Sequence, residues 1–224
     1  MQRDGTRHAG SGRSWLLSRA FDALYGPGAR LYDLISRAAF GDDWAAWRRA
    51  AAELVNGEPV LDLGCGTGAL VEVLSAQRGL VVGVDRSEAM LTAARRHRDG
   101  ARIRLVRADA RQLPFPSGTF AVVLSTFPSD YILDPLAGEE VLRVLSPDGA
   151  LVVLIGGTID RWHWWQAPRR LVLRWVYGPH SNLPAARAPF DLAGLRGDWQ
   201  EVPGPQGRGW VWIARRNATV GRDS

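Results

Sequence analysis

The chain of 224 residues contains no lysine, a single cysteine and no long apolar run. One cysteine excludes an internal disulfide and provides no cysteine cluster for a metal, so we expect no metal site. No stretch approaches the ~18 consecutive apolar residues of a membrane-spanning helix. The N-terminus is polar and arginine-bearing, without the apolar core of a signal peptide. These absences lead us to expect a cytoplasmic protein.

All 28 basic side chains are arginine, and the formal net charge is +5. The arginines are scattered and form no single stripe, so codon usage explains this charge better than binding to nucleic acid, and we expect no nucleic-acid partner. The length fits one domain, and a hydrophobic fraction of 46% suffices for a sizeable core. The composition therefore indicates a single globular unit.

The most informative stretch is an apolar run, residues 60–63, that leads into a glycine-rich turn. The run contains Asp62 and is followed by Gly64, Gly66 and Gly68, and a helix-like pattern begins at Ala69. Glycine has no Cβ and adopts positive φ readily, so such a loop can approach a ligand closely. The pattern predicts a buried parallel strand that ends in a ligand-binding loop.

A second apolar run ends at Asp85, nineteen positions after Gly66. A glycine loop with a distant acid is the general arrangement for holding an adenine nucleoside at the end of a parallel sheet. The dinucleotide fingerprint allows alanine at its third glycine position, here Ala69, so the glycine spacing alone leaves a nicotinamide cofactor open. Asp62 argues against it, because a carboxylate there would repel a pyrophosphate but could accept from a ligand ammonium.

The acid-x-Gly-x-Gly-x-Gly pattern that begins at Asp62 resembles the first motif of class I S-adenosylmethionine-dependent methyltransferases. Residues 85–91 resemble that family's second motif, Asp109-Ala110 its adenine-edge motif, and residues 145–151 its Leu-x-Pro-x-Gly-x-Leu motif. The resemblance extends over roughly residues 42–155. It is greatest to the small-molecule branch that includes the ubiquinone/menaquinone C-methyltransferases.

The resemblance implies an α/β fold, a doubly wound Rossmann-like sheet of seven strands with helices on both faces. The alternating pattern from Pro59 to Ile155, with its last strand over residues 150–155, predicts five parallel strands with crossover helices. Residues 198–203 and 209–215 are expected to form the closing antiparallel pair. We divide the chain into an N-terminal tail with cofactor-covering helices (1–41), a cofactor-binding core (42–157), a Trp-rich lid or insert (158–195), the closing hairpin (196–216) and a tail (217–224).

Three helices are predicted ahead of the glycine loop. Two short ones, over residues 14–24 and 29–40, are separated by a Gly-Pro-Gly break. A third is predicted to be capped by Asp43 and to place Trp44, Trp47 and Leu54 on one side.

The resemblance also implies roles for individual residues. Asp62 is expected near the cofactor's amino group and Asp85 on the ribose hydroxyls, while Asp109 accepts from the adenine amino group. The expected cofactor-binding residues are Asp62, Gly64, Cys65, Gly66, Gly68, Asp85, Arg86, Met90, Asp109, Ala110, Ser125 and Tyr32.

Most of these residues also have an ordinary structural interpretation. Asp62 could accept from loop amides, Asp109 could cap a short turn, and Cys65 could be a small apolar filler. Arg86 and Met90 could be surface and core residues, and Tyr32 could simply pack.

Candidates for a catalytic base are His163, in the Trp-rich segment, and Asp130 and Tyr131, just beyond the fourth strand. The Asn-Pro-Pro-aromatic signature of amino-methylation of DNA bases is not present after that strand.

The segment around residues 161–177 is rich in tryptophan and arginine. It could be a core-facing helix, a lid over the substrate, or a basic aromatic helix that contacts a membrane surface.

The sequence thus predicts methyl transfer from S-adenosylmethionine, with S-adenosylhomocysteine as product, to a small and partly apolar acceptor. The alternatives are an NAD(P)-dependent oxidoreductase, a degenerate methyltransferase fold that binds a partner or a membrane surface without turnover, and, from charge alone, a nucleic-acid methyltransferase.

Overall fold

The computed structural model describes residues 41–54, 57–77, 79–97, 103–160, 167 and 194–216. The two N-terminal helices predicted over residues 14–24 and 29–40, with Tyr32, lie outside the described residues. So do both tails, His163 and nearly all of the Trp-rich segment.

The described helices are α1 (Asp42–Glu53), α2 (Ala69–Gln77), α3 (Glu88–Ala94) and α4 (Pro135–Val144). The strands are β1 (Val60–Leu63), β2 (Val81–Asp85), β3 (Ile103–Arg107), β4 (Phe120–Thr126), β5 (Leu145–Ile159), β6 (Leu195–Pro203) and β7 (Gly207–Arg216). Asp134 caps α4 as its side chain accepts from the Leu136 amide at 3.0 Å, and Pro135 occupies the first helical position. An Asp-Pro pair is a local sequence signal for such a helix start.

The strands form one seven-stranded sheet in the order β3-β2-β1-β4-β5-β7-β6. The first five pair in parallel, and β7 runs antiparallel to both β5 and β6. The predicted fold class is confirmed. The fifth strand is longer than the predicted Ala150–Ile155, because β7 pairs with its extension as far as Ile159 opposite Gly207.

Alternate residues of the strands point to opposite faces of the sheet and build two cores. Val60 and Leu124 lie in the core that includes residues of α1 and α2, whereas Leu61 and Val123 lie in the core that includes residues of α4. Helices therefore cover both faces, as the doubly wound arrangement requires.

The predicted role of Asp43 as a helix cap is wrong. Gly41, with φ 59°, is the N-cap of α1, and Asp43 lies inside the helix. Its buried carboxylate accepts instead from the amides of Gln206 and Gly207, at 2.9 and 3.1 Å, and ties α1 to the β6–β7 hairpin. Asp43 and Gln206 are 163 positions apart, so no local sequence pattern indicates this contact.

The amphipathic pattern of α1 was only partly predicted. Trp44 and Trp47 are buried as expected, but Leu54 follows the end of the helix and is 37% exposed. The predicted apolar side is therefore one turn too long.

Residues 161–177, for which a core-facing helix, a lid and a membrane contact were left open, lie outside the described residues apart from Ala167. Within the described ranges, none of the helices has both the length and the apolar character needed to cross a membrane.

Candidate functional site

The loop between β1 and α2 contains the three alternating glycines, and all three have positive φ. The angles are 75° at Gly64, 55° at Gly66 and 81° at Gly68, a region in which residues with a Cβ are strained. The amides of Gly64 and Cys65 both donate to the carbonyl of Val84, at 2.8 and 2.9 Å, which ties the loop to β2. Among the described residues, a Cβ at Gly66 would meet no atom within 4 Å, so at Gly66 the loop borders space that these residues leave open.

Asp62 is a buried carboxylate without a hydrogen-bond partner. It is 1% exposed, and neither of its oxygens has a partner in the described part of the chain. Burial raises its pKa to about 7, although the charge of Arg48 lowers it; the charge of Asp85 raises it further. Such a group costs free energy unless a cation reaches it. The alternative in which Asp62 accepts from loop amides is not observed.

Asp85 lies at the end of β2 with both oxygens fixed by backbone amides. Oδ2 accepts from the Gly66 amide at 2.9 Å and Oδ1 from the Ser87 amide at 2.8 Å. Burial raises its pKa, while these two amides lower it. A carboxylate oxygen can accept a second hydrogen bond, so each oxygen retains capacity for a ligand hydroxyl.

Asp109, beyond the end of β3, is held by Arg111. Its Oδ1 accepts from the Arg111 amide at 3.0 Å and from Nε at 2.9 Å, and its Oδ2 accepts from Nη2 at 2.7 Å. The Arg111 guanidinium holds the pKa of Asp109 at about 2. One acceptor position, on Oδ2, is left for an adenine amino group. The hydrogen bond from the Arg111 amide to Asp109 is the turn cap of the alternative interpretation. Ala110 lies within that turn.

The two residues expected beside the adenine differ in exposure. Arg86 is exposed, and its carbonyl accepts from Nε of Arg107 at 3.2 Å. Met90 is fully buried in α3, and its amide is capped by the Ser87 side chain at 3.4 Å. Met90 therefore has the surroundings of a core residue.

Ser125 and Tyr131 join the ends of β1 and β4 through their hydroxyls. Both hydroxyls donate to the Leu63 carbonyl, at 3.0 and 2.9 Å, and they lie 2.8 Å from each other. Burial raises the pKa of the Tyr131 phenol above its ordinary value. A Cβ at Gly64 would collide with the Tyr131 hydroxyl, so the Tyr131 side chain packs directly against the glycine loop at Gly64.

Asp130 begins the 3₁₀ helix Asp130–Leu133 that follows β4, and its side chain lies outside the described positions. The Cys65 thiol is buried, and burial together with the charges of Asp62 and Asp85 raises its pKa. A thiol with a raised pKa is protonated and uncharged at neutral pH. This is the state expected if Cys65 is a small apolar residue that only fills space in the loop.

Sequence reasoning missed a group that α1 brings to the same edge. Arg48 donates from Nε to the Thr126 hydroxyl at 3.2 Å, and its guanidinium carbon lies 5.4 Å from the centroid of the Trp44 ring. Trp44 in turn stacks on Phe127, with ring centroids 3.5 Å apart. Phe127 has φ 51°, a strained angle for a phenylalanine that follows directly on β4.

The only available sequence signal was the i, i+4 spacing of Trp44 and Arg48, which is common on any helix. In contrast, the predicted residues Asp62, Gly66, Asp85 and Ser125 meet at the carboxyl ends of three adjacent strands, with Asp109 beyond a fourth.

Comparison with known proteins gives a consistent picture. A sequence profile described as a methyltransferase domain matches residues 60–149. The demethylmenaquinone methyltransferase of Clavibacter sepedonicus is 37% identical over 141 residues, which cover 61% of this chain and 56% of that protein. The chain thus spans little more than half the length of this curated relative.

Two other similarities extend further. The demethylmenaquinone methyltransferase of Thermobifida fusca is 32% identical over 215 residues, 89% of this chain and 89% of that protein. A crystal structure from Methanococcus maripaludis, provisionally assigned as an S-adenosylmethionine-dependent methyltransferase, superposes with a TM-score of 0.63 at 16% identity. It covers 99% of this chain and 100% of its own, and at that identity the likeness concerns the fold.

Proposed function

Because this chain belongs to the class I S-adenosylmethionine-dependent methyltransferase family, we propose that it transfers a methyl group from that cofactor to a small, partly apolar acceptor. The observation that carries the proposal is the buried, unpartnered carboxylate of Asp62 beside the glycine loop. A cationic ligand group would stabilise it, whereas the pyrophosphate of a nicotinamide cofactor would not.

The residues present fit the cofactor at three separate points. Its amino-acid end carries an ammonium for Asp62, its ribose carries two hydroxyls for Asp85, and its adenine carries an amino group for the remaining acceptor position of Asp109. The open space beside Gly66 admits the part of the ligand that lies against the loop. Each contact pairs a charged acceptor with a donor, the stronger class of hydrogen bond.

The bound cofactor supplies an electrophilic methyl group on a sulfonium, so the protein has to align the acceptor and exclude water. For an acceptor that must lose a proton, Asp130 and His163 are our candidate bases. We assign Tyr131 to positioning, because its buried hydroxyl already donates to the Leu63 carbonyl and its pKa is raised.

For the acceptor we propose a quinol-like ring with an apolar tail. Two relatives carry the name demethylmenaquinone methyltransferase, and the stacked rings of Trp44 and Phe127 lie at the same edge of the sheet as the glycine loop. Aromatic side chains favour flat apolar ligands. The Trp-rich segment 158–195 would close over such an acceptor. We propose that the reaction takes place in the cytoplasm.

Calorimetric titration with S-adenosylhomocysteine, with NADH as the comparison, tests the cofactor. We expect binding of the first compound alone. Asp85→Ala should weaken it by ~10- to 100-fold, because a charge-assisted hydrogen bond contributes roughly 1.5–3 kcal/mol. Glu88→Ala is the matched control, since Glu88 is an exposed carboxylate three residues away that pairs with Arg95.

A second measurement, transfer of labelled methyl from S-adenosylmethionine to a short-tailed demethylmenaquinol, tests turnover. Binding of NADH alone would overturn the proposal. Binding of neither compound would favour the degenerate fold, and binding of S-adenosylhomocysteine without transfer would leave the cofactor assignment but reject this acceptor.

A further inference from the structure

Arg48 is a cation that α1 delivers to the site, and none of the sequence motifs assigns it a role. We propose that Arg48 binds the carboxylate of the cofactor's amino-acid end while Asp62 binds the ammonium of the same group. This inference rests on the proposed function and specifies how the site distinguishes a full amino acid from a simple amine.

The sheet register places the two residues on one face. Asp62 of β1 pairs in parallel with Leu124 of β4, so these two side chains point the same way. Thr126 lies two residues further along β4 and points to that face again, ~7 Å beyond Leu124. Arg48 reaches this position from α1, with Nε 3.2 Å from the Thr126 hydroxyl. The cation and the carboxylate are thus neighbours at the carboxyl edge of the sheet.

The guanidinium is fixed in a way that leaves its outer nitrogens available. Nε is used by Thr126, and the Trp44 ring lies 5.4 Å from the guanidinium carbon. Trp44 is itself held by its stack on Phe127. In the described part of the chain no hydrogen bond uses the two terminal nitrogens of Arg48, which carry four of its five donors. Two parallel donors suit a carboxylate, which accepts a fork-shaped pair.

The two opposite charges lie close together without pairing directly. Arg48 lowers the pKa of Asp62 through space, yet neither oxygen of Asp62 accepts a hydrogen bond from any residue that the structure describes. A direct ion pair would satisfy both groups and leave nothing for a ligand. Held apart by Thr126 and Trp44, they form a positive and a negative pole, the arrangement that complements a zwitterion.

The test compares two ligands that differ only in the carboxylate, namely S-adenosylhomocysteine and its decarboxylated amine. Calorimetric titration should give the wild-type protein a ~10- to 100-fold preference for the carboxylated ligand, the range expected of a charge-assisted contact. Arg48→Gln should remove most of that preference by weakening only the carboxylated ligand, and Arg48→Lys should restore part of it. Arg49→Gln, at the exposed neighbouring position of α1, should keep the preference unchanged.

Several results would overturn the inference. Equal weakening of both ligands by Arg48→Gln, with an unchanged melting temperature, would mean that Arg48 acts on the site as a whole. An unchanged preference would mean that it serves another group, such as an oxyanion of the acceptor. If Arg48→Gln fails to fold, Thr126→Val should still reduce the preference by releasing Nε, and no reduction there would reject the inference. Failure of the wild-type protein to bind either ligand would instead reject the proposed function.

Discussion

At the scale of single residues, the site contains three carboxylates in three different surroundings. Asp62 is buried with no hydrogen bond from the described part of the chain and has a pKa of about 7, whereas Arg111 holds the pKa of Asp109 at about 2. Burial raises the pKa of Asp85, while two backbone amides lower it. Because its pKa lies near neutral pH, Asp62 is expected to change its charge when a ligand binds.

The pH dependence of cofactor binding follows from Asp62. Its folded pKa of about 7 lies above its usual 3.8, so stability of the free protein falls as pH rises through this interval, because the unfolded chain loses the proton first. The charged form binds the ammonium, so the affinity for S-adenosylhomocysteine should rise by about tenfold per pH unit below pH ~7 and then level off. Titrations between pH 5.5 and 8, in buffers that differ in ionisation enthalpy, measure the affinity and the released proton.

Asp62→Asn provides the control for this dependence. The amide does not titrate, so its binding should be weak and should lack the rise below neutral pH. The same rise in Asp62→Asn as in the wild-type protein would show that another group titrates.

At the scale of elements, the glycine loop can be tested against a turn elsewhere in the chain. Gly66 has φ 55° and Gly118 has φ 69°, and an added Cβ at either position would meet no atom of the described residues within 4 Å. Gly66→Ala and Gly118→Ala should each reduce the free energy of unfolding by ~1–2 kcal/mol, the cost of a left-handed residue with a Cβ. Urea denaturation measures this.

Only Gly66→Ala should also weaken S-adenosylhomocysteine, by about tenfold or more, because only there does the methyl group occupy the ligand's space. Equal affinity of the two variants would mean that the cofactor does not approach Gly66.

A second element-scale prediction concerns the anchor of α1. Asp43→Ala leaves two amides, those of Gln206 and Gly207, without their acceptor, and should reduce the free energy of unfolding by ~1–3 kcal/mol. Asp42→Ala, at the exposed neighbouring position, should change it by less than ~0.5 kcal/mol. Urea denaturation measures both values. An equal loss of unfolding free energy in the two variants would contradict the role of Asp43 as the anchor of α1.

At the scale of the whole molecule, the sheet brings one end of each parallel strand to a common edge. The ends of β1, β2 and β4 carry the glycine loop, Asp85 and Ser125, and α1 adds Arg48 from one face. Ligands of open α/β sheets bind at this edge, where the strand order reverses between β1 and β4. The proposed acceptor would therefore have to approach from this same edge, at which β5 ends and the Trp-rich segment begins.

This placement leads to a prediction for the Trp-rich segment. If it covers the acceptor, the double variant Trp164→Ala/Trp165→Ala should raise the KM of the acceptor about tenfold and leave the affinity for S-adenosylhomocysteine unchanged. Steady-state kinetics and calorimetry measure the two effects. Loss of flotation with anionic liposomes, without a change in KM for a water-soluble acceptor, would indicate membrane contact instead. A large fall in melting temperature would indicate a core helix.

The sequence by itself determined the fold class and predicted where a candidate site lies. Strand periodicity, the alternating glycines and the acids at Asp62 and Asp85 are local patterns, and parallel strands necessarily bring their carboxyl ends to one edge. The start of α4 at Asp134-Pro135 was readable for the same reason. The roles of all the candidate site residues stay predictions, and Tyr32 and His163 also lie outside the described residues.

The tertiary structure alone decided which distant side chains join that centre. The contact of Arg48 with Thr126 links positions 78 residues apart, and that of Asp43 with Gln206 links positions 163 apart. Neither the strained φ of Phe127 nor the unpartnered state of Asp62 has a sequence signature, because each depends on what the rest of the chain places around it. A local pattern specifies an element and its ends, but the partners of a side chain depend on how the elements pack.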